Sequence, residues 1–221
     1  MGFSPEQESI VREFIGKNDI PGAAIAIVRD NSIVAEGGFG FADVANAAPA
    51  TAHTVWPICS LTKSFTAVSA MQLVESGKLF LDEPVQTYLS GFQINDAVAS
   101  QRMTSRLFLT HNSGLGRTGH QDRTREETVN PYPTRKALVD ALDSAELQST
   151  PGEAFSYCNE GFATVGHAIE TIAGVPLEEY FTGKIFDPVG MLDSSVHFMD
   201  WKNAADRTYA YSRTDGDPFD S

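Results

Sequence analysis

The chain is short of basic residues. Its 221 residues include 16 Lys and Arg against 29 Asp and Glu, a formal net charge of -13. A field of that sign repels polyanions, which argues against nucleic acid and anionic membrane surfaces as partners. Cysteine is nearly missing, with only Cys59 and Cys158. Two cysteines build no disulfide framework, and no Cys/His spacing matches a zinc site. No apolar run is long enough to span a bilayer. The stretch Met1-Gly2-Phe3-Ser4-Pro5-Glu6 lacks the basic and apolar regions of a signal peptide, and Glu6 stands where a myristoylation motif needs Ser or Thr. A cytoplasmic protein is favoured, with a mature exported form lacking its leader as the alternative. No metal, nucleotide or flavin site is legible, so no cofactor is expected. Gly37-Gly38-Phe39-Gly40 falls late in a strand with no helix after it, and reads as a strand bend.

What is present suits a globular protein. Apolar residues make up 42% of the chain, enough for a sizeable core. Ser4-Pro5-Glu6-Gln7 reads as a capping box, followed by an apolar stripe of Ile10, Val11, Phe14 and Ile15, with Gly16 as the stop. Ala23 to Arg29 and Ser32 to Phe41 read as two strands around an Asp30-Asn31 turn. The first is rich in small residues, so something large should pack on it. Leu61 to Ser76 reads as a helix closed by Gly77, burying Leu61, Phe65, Val68 and Leu73. A short helix is expected from Asp82 to Leu89, and another over Thr104 to Thr110. Arg117 to Pro133 is polar and reads as a surface loop. Further helices are expected from Thr134 to about Leu147, across Phe162, Val165, Ile169 and Ile172 to Gly174, and from Pro176 to Phe186. The tail from Asp206 to Ser221 is polar and turn-rich. Two strands make no independently stable sheet. The hairpin is therefore either decoration on a helical protein or part of a larger sheet.

Two motifs carry chemistry. Ser60-Leu61-Thr62-Lys63 opens the helix after the hairpin, and residues three apart share one helical face. That sets a hydroxyl beside an amine which, kept neutral, could take its proton. Tyr157-Cys158-Asn159, on a separate segment, offers a phenol for a proton shuttle. A bare Ser-x-x-Lys is common by chance; its pairing with the tyrosine motif is not.

In sequence, Pro57-Ile58-Cys59-Ser60-Leu61-Thr62-Lys63-Ser64-Phe65-Thr66 resembles the nucleophile segment of the serine β-lactamase-related hydrolases. That family spans class C β-lactamases, DD-peptidases, esterases and D-aminopeptidases. Its Tyr-x-Asn motif matches Tyr157-Cys158-Asn159. The hairpin Pro21 to Phe41, Gly77-Lys78-Leu79 with Leu81-Asp82, and Leu109-Thr110-His111-Asn112-Ser113-Gly114-Leu115 match in the same order. The resemblance implies an α/β fold of the α+β type, an antiparallel sheet flanked by helices with a helical subdomain. Residues 1–221 would be the N-terminal portion of one catalytic domain, with 1–79 holding the hairpin and nucleophile helix and 80–221 a mainly helical region.

By the same resemblance, Ser60 is similar to the nucleophile, its N–H serving as one oxyanion donor. Lys63 resembles the residue that takes the serine proton, Tyr157 the one that passes a proton to the leaving group, and Asn159 the amide that orients Lys63 and contacts substrate. Tyr157 as phenolate is the alternative base. Cys59 and Cys158 should then lie near each other, with packed thiols favoured over a disulfide. His111 belongs to a helix-ending turn rather than to the chemistry, and His53, His120, His167 and His197 have no partner that the sequence identifies.

The family's third motif, Lys-Thr/Ser-Gly or His-x-Gly on a later strand, has no match before Ser221. A C-terminal chain or segment of the same precursor is therefore an expected partner, besides a small-molecule or peptide substrate. The function implied is a serine hydrolase acting through an acyl-enzyme on small peptides or amides, D-aminopeptidase-like in its local matches. An esterase or β-lactamase of the same fold is the alternative, and a binding module that kept the fold is the alternative from another class.

Overall fold

The computed structural model describes residues 2–116, 132–214 and 217–220. All but the last two residues of the loop expected from Arg117 to Pro133 lie outside them. The chain divides into two compact units, residues 1–58 with 195–221, and residues 59–194.

The first unit is built on a hairpin. Helix α1 (Pro5–Lys17) opens on the expected capping box: Ser4 Oγ accepts the Gln7 N–H, and the Gln7 side chain accepts the Ser4 N–H. It continues past Gly16 to an Asn18 cap, whose side chain donates to the Phe14 carbonyl at 2.8 Å. The apolar stripe splits, with Val11 and Ile15 half-buried but Ile10 and Phe14 exposed. Strand β1 (Gly22–Arg29) pairs antiparallel with β2 (Ser32–Asp43). Asp30 and Asn31 both take positive φ, 49° and 59°, which is what a two-residue turn matching the strand twist demands. A short β3 (Ala48–Pro49) extends the sheet in the order β1-β2-β3.

The small side chains of β1 do meet something large. Ala23 lies opposite Phe39, a buried residue against which the Phe3 ring packs edge-on at 5.3 Å. A β-carbon on Gly38 would stand 2.1 Å from the Ala50 carbonyl oxygen. The glycine cluster therefore serves close backbone approach within this unit. Near the end of the chain, Asp206 accepts from the hydroxyls of Thr51 and Thr54 at 2.9 and 2.7 Å, and Val55 bridges to Arg207. A short helix (Phe198–Asn203) precedes these contacts, and a strand pair, β4 (Ser212–Thr214) with β5 (Asp217–Asp220), forms in the tail, where turns are expected from the sequence.

The second unit is helical. A 3₁₀ turn (Cys59–Leu61) runs into α2 (Thr62–Glu75). Its buried face is Thr66, Ser69, Ala70 and Leu73, whereas Leu61 and Val68 are 68% and 46% exposed. Leu61 sits in the tighter 3₁₀ turn and so falls off the helical phase. The small side chains that replace the expected large ones let a neighbouring helix approach closely. The segment Asp82 to Leu89 forms only a 3₁₀ turn (Val85–Thr87), because backbone groups on either side are used elsewhere: Val85 N–H donates to Met103 and Leu81 accepts from Arg106.

Short helices α3 (Ala97–Ser100), α4 (Ser105–Leu109) and α5 (Arg135–Asp140) are capped by Asp96, Thr104 and Thr134. The last gives way to a 3₁₀ turn over Ala141–Ser144 instead of reaching Leu147. Helix α6 (Asn159–Ala173) ends at Gly174 as expected, and α7 (Leu177–Phe181) continues through a wider turn (Thr182–Phe186) into α8 (Asp187–Val189). Phe108, Leu115, Leu142, Val165 and Ile169 are fully buried at the centre.

No disulfide joins the two cysteines. Cys158 is buried and caps α6, its sulfur accepting the Gly161 N–H at 3.3 Å, and burial pushes its thiol up to about 12. Cys59 is exposed, not packed, and stands in the left-handed region with φ 47°.

Two outcomes follow from this packing. Gly38→Ala should lower the urea midpoint by the equivalent of about 1–3 kcal/mol at constant m-value, because the new carbon meets backbone rather than a flexible side chain. At about pH 8 an alkylating reagent should modify Cys59 alone, since only the thiolate reacts and Cys158 holds its proton; peptide mapping finding Cys158 modified in the folded protein would contradict that burial.

Candidate active site

Ser60 occupies the middle of the 3₁₀ turn before α2, with its side chain exposed. The residue before it, Cys59, is held at a positive φ that costs a side-chain-bearing residue roughly 1–3 kcal/mol. One turn along, the Lys63 Nζ lies 3.4 Å from Ser60 Oγ. The same nitrogen donates to Asn159 Oδ1 at 2.6 Å, which ties α2 to the first turn of α6. Tyr157, on the extended segment just before α6, donates its phenolic O–H to Ser60 Oγ at 2.7 Å. All four side chains named from the sequence therefore meet, and they lie within one compact unit.

The surroundings explain how they are held. The Lys63 ammonium nitrogen stands 4.8 Å from the centre of the Tyr157 ring and 5.6 Å from that of Phe162, positions in which an aromatic face attracts a cation. From its spacing Phe162 is a helix-face residue, and nothing in the motif marks it as a neighbour of the lysine. Phe65, on α2, packs against Phe181 and Phe186 at 6.1 and 5.3 Å, supporting the helix that carries Lys63. Gly161 brings α6 against α4: a β-carbon there would lie 2.9 Å from Phe108 Cδ1.

His111, read as part of a helix-ending turn, is such a turn and also adjoins this site. Its Nδ1 accepts the Cys158 N–H at 3.1 Å, and its ring lies 4.4 Å from the Tyr157 ring and 5.1 Å from that of Phe162. Burial, and then the charge of Lys63, hold the imidazole below its ordinary 6.5. His167 contacts Glu170, His53 and His197 are exposed, and His120 lies outside the described residues. Among the described residues no cluster of His, Cys, Asp or Glu could hold a metal ion, and no helix is long and apolar enough to cross a membrane.

This arrangement can move a proton. An exposed hydroxyl receives a short hydrogen bond from a phenol and a longer one from an amine, and the amine is anchored by an amide on the opposing helix. Such a group can add to an electrophilic carbon if its own proton has somewhere to go.

Relatives share this chain's pattern over most of its length. Protein flp of Staphylococcus aureus is 28% identical over 90% of this chain and 39% of its own. The octameric penicillin-binding protein homologue from Pyrococcus abyssi is 31% identical, with TM-score 0.79 over 94% of this chain and 47% of its own. The D-amino acid amidase from Ochrobactrum anthropi SV3, in its complex with D-phenylalanine, is 26% identical, with TM-score 0.70 over 83% of this chain and 49% of its own. The chain thus spans roughly two-fifths to half the length of these proteins. The Beta-lactamase family model matches residues 8–220. With an antiparallel sheet, a mainly helical second unit and a family match running from residue 8 to residue 220, the chain belongs to the Beta-lactamase family.

Proposed function

We propose that the protein is a serine hydrolase acting through an acyl-enzyme. The observation that carries the reading is the 2.7 Å contact between Tyr157 and Ser60, made while Lys63 reaches the same oxygen. As they stand, both groups donate to Ser60 Oγ, so the Tyr157–Lys63 pair must first release one proton to solvent; Ser60 Oγ then bonds to the substrate carbonyl carbon, opening its C=O π bond, as the serine's proton takes the place of the one released. The shorter contact favours the phenol oxygen as direct partner. Lys63, fixed by Asn159, supplies positive charge beside it. The tetrahedral adduct expels an amine that takes its proton through Tyr157. Water then attacks the serine ester, releases the acid and returns a hydrogen to Ser60 Oγ. The Ser60 N–H supplies one oxyanion donor. The second, and the third motif, are proposed to come from a further segment or chain of the same precursor, a reading supported by relatives about twice as long.

The preferred substrate is a small amide or peptide with a D-residue at its N-terminus. Its support is local likeness around Pro57-Ile58-Cys59 and Cys158, together with the likeness to a D-amino acid amidase. The protein's negative charge suits an ammonium-bearing substrate.

A fluorophosphonate should add to Ser60, seen by intact mass and peptide mapping, and Ser60→Ala should cut turnover at least about a thousandfold with an unchanged unfolding midpoint. A panel of D-alanyl and L-alanyl amides, a nitrophenyl ester and a cephalosporin should show the D-amide preferred. Turnover of the ester alone overturns the peptidase assignment. No adduct and no turnover on any of them leaves a binding module.

A further inference from the structure

We propose that His111 is the positioning residue for Tyr157: its neutral imidazole and its own carbonyl clamp the tyrosine's backbone from both sides, and the clamp opens when the ring is protonated. The role rests on the reading of Ser60 and Tyr157 given above.

The geometry begins at the end of α4. Asn112 N–H donates to the Leu107 carbonyl at 2.8 Å and His111 N–H to that of Phe108 at 3.1 Å. That pair of bonds is the helix-ending motif in which the left-handed residue is ordinarily glycine. Here it is His111, with φ 58°. Closing a helix does not require an imidazole, and a β-carbon at this φ is unfavourable. The side chain therefore does something glycine could not.

What it does is visible at residues 156–158. Ser156 N–H donates to the His111 carbonyl at 2.8 Å, and Cys158 N–H donates to His111 Nδ1 at 3.1 Å. These are the amides on either side of Tyr157. One residue thus holds both, the imidazole extending what the backbone begins. The same ring lies against the Tyr157 ring at 4.4 Å, inclined by 34°. The phenol reaches Ser60 from a segment that has no regular structure of its own, and the helix bearing Asn159 starts immediately after it. A shift of the clamp would move the phenol directly.

The clamp requires one protonation state. Nδ1 can accept an N–H only while it carries no proton, so the ring is neutral with its hydrogen on Nε2. Protonation would set N–H against N–H. The groups facing the ring resist it: Lys63 from α2 is a cation, Tyr157 and Phe155 present neutral rings, and α6 presents Phe162. The Glu160 carboxylate lies beyond the Cys158 thiol, which it contacts. Because the pKa is lowered, the clamp is intact above the ordinary 6.5 and is lost as pH falls through the folded value.

Two variants separate the clamp from the turn. His111→Gly suits the left-handed position but has no acceptor; His111→Asn also tolerates it, and its Oδ1 can accept the Cys158 N–H. The rate of fluorophosphonate addition to Ser60 in the protein should fall about 10- to 100-fold in the glycine variant. The asparagine variant should stay within about threefold of wild type and lose the part of the acid limb that His111 contributes. By NMR, the Cys158 amide should be protected from exchange in wild type and in the asparagine variant and unprotected in the glycine variant. A glycine variant labelled at the wild-type rate, or one with its Cys158 amide still protected, overturns the proposal. A wild type that takes no adduct overturns the reading of Ser60 instead, and the amide measurement, which needs no chemistry at Ser60, still decides the clamp.

Discussion

The contact between Lys63 and Asn159 is the constraint on which the rest of the site depends. It joins α2 to α6 through a 2.6 Å hydrogen bond from a nitrogen that also reaches Ser60. A hydrogen bond to a charged group contributes about 1.5–3 kcal/mol, more than the same bond between neutral groups. Its geometric consequence is larger than its energy. Asn159 is the first residue of α6, and Tyr157 stands two residues before it. Fixing the amide against the lysine therefore fixes the place from which the phenol departs. The small residues on the buried face of α2 serve the same contact, since Thr66, Ser69 and Ala70 leave room for the neighbouring helix. Leucines there would hold the two helices further apart and lengthen the lysine's reach.

Two residues near the site carry positive φ without being glycine. Cys59 precedes the nucleophilic hydroxyl and His111 lies under the phenol. Each costs stability that the packing around it must offset. The second unit supplies that packing from fully buried Phe108, Leu115, Val165 and Ile169. Phe108 belongs to both arguments: it fills the core and, across Gly161, sets how closely α4 approaches α6.

Much of this was legible in the residues. The hairpin, the Ser4 capping box, the helix opening at Thr134 and the Gly174 stop each rest on a local rule, and local rules survive folding. The four side chains at the site could be named because two short motifs carry them. The failures share a cause as well. An α-helical period predicts Leu61 and Val68 on the buried face, but a 3₁₀ turn precedes the helix and the partner surface selects small residues instead. Ile10 and Phe14 fit an amphipathic stripe wider than the surface α1 covers. The part of His111 beside Tyr157 depends on a contact 47 positions away, which no spacing rule reaches. A hint was present all the same: a histidine directly after a helix end, where glycine is usual, is an unusual choice.

The site is unevenly supported, and that bears on how it can fail. Lys63 sits in the first turn of a 14-residue helix braced by Phe65 against Phe181 and Phe186, Ser60 in the 3₁₀ turn that leads directly into it, and Asn159 opens a 15-residue helix. Regular helices hold side chains more precisely than irregular segments do. Tyr157 alone stands on chain whose amides find no helix partner. Its position must be fixed by whatever takes up those amides, and the phenol's contact with Ser60 is the shortest that the hydroxyl makes. The atom closest to the nucleophile is thus carried by the least regular backbone in the site. Loss of order there would leave the lysine on its helix and the serine in the turn that opens it, while removing the group best placed to exchange a proton with them.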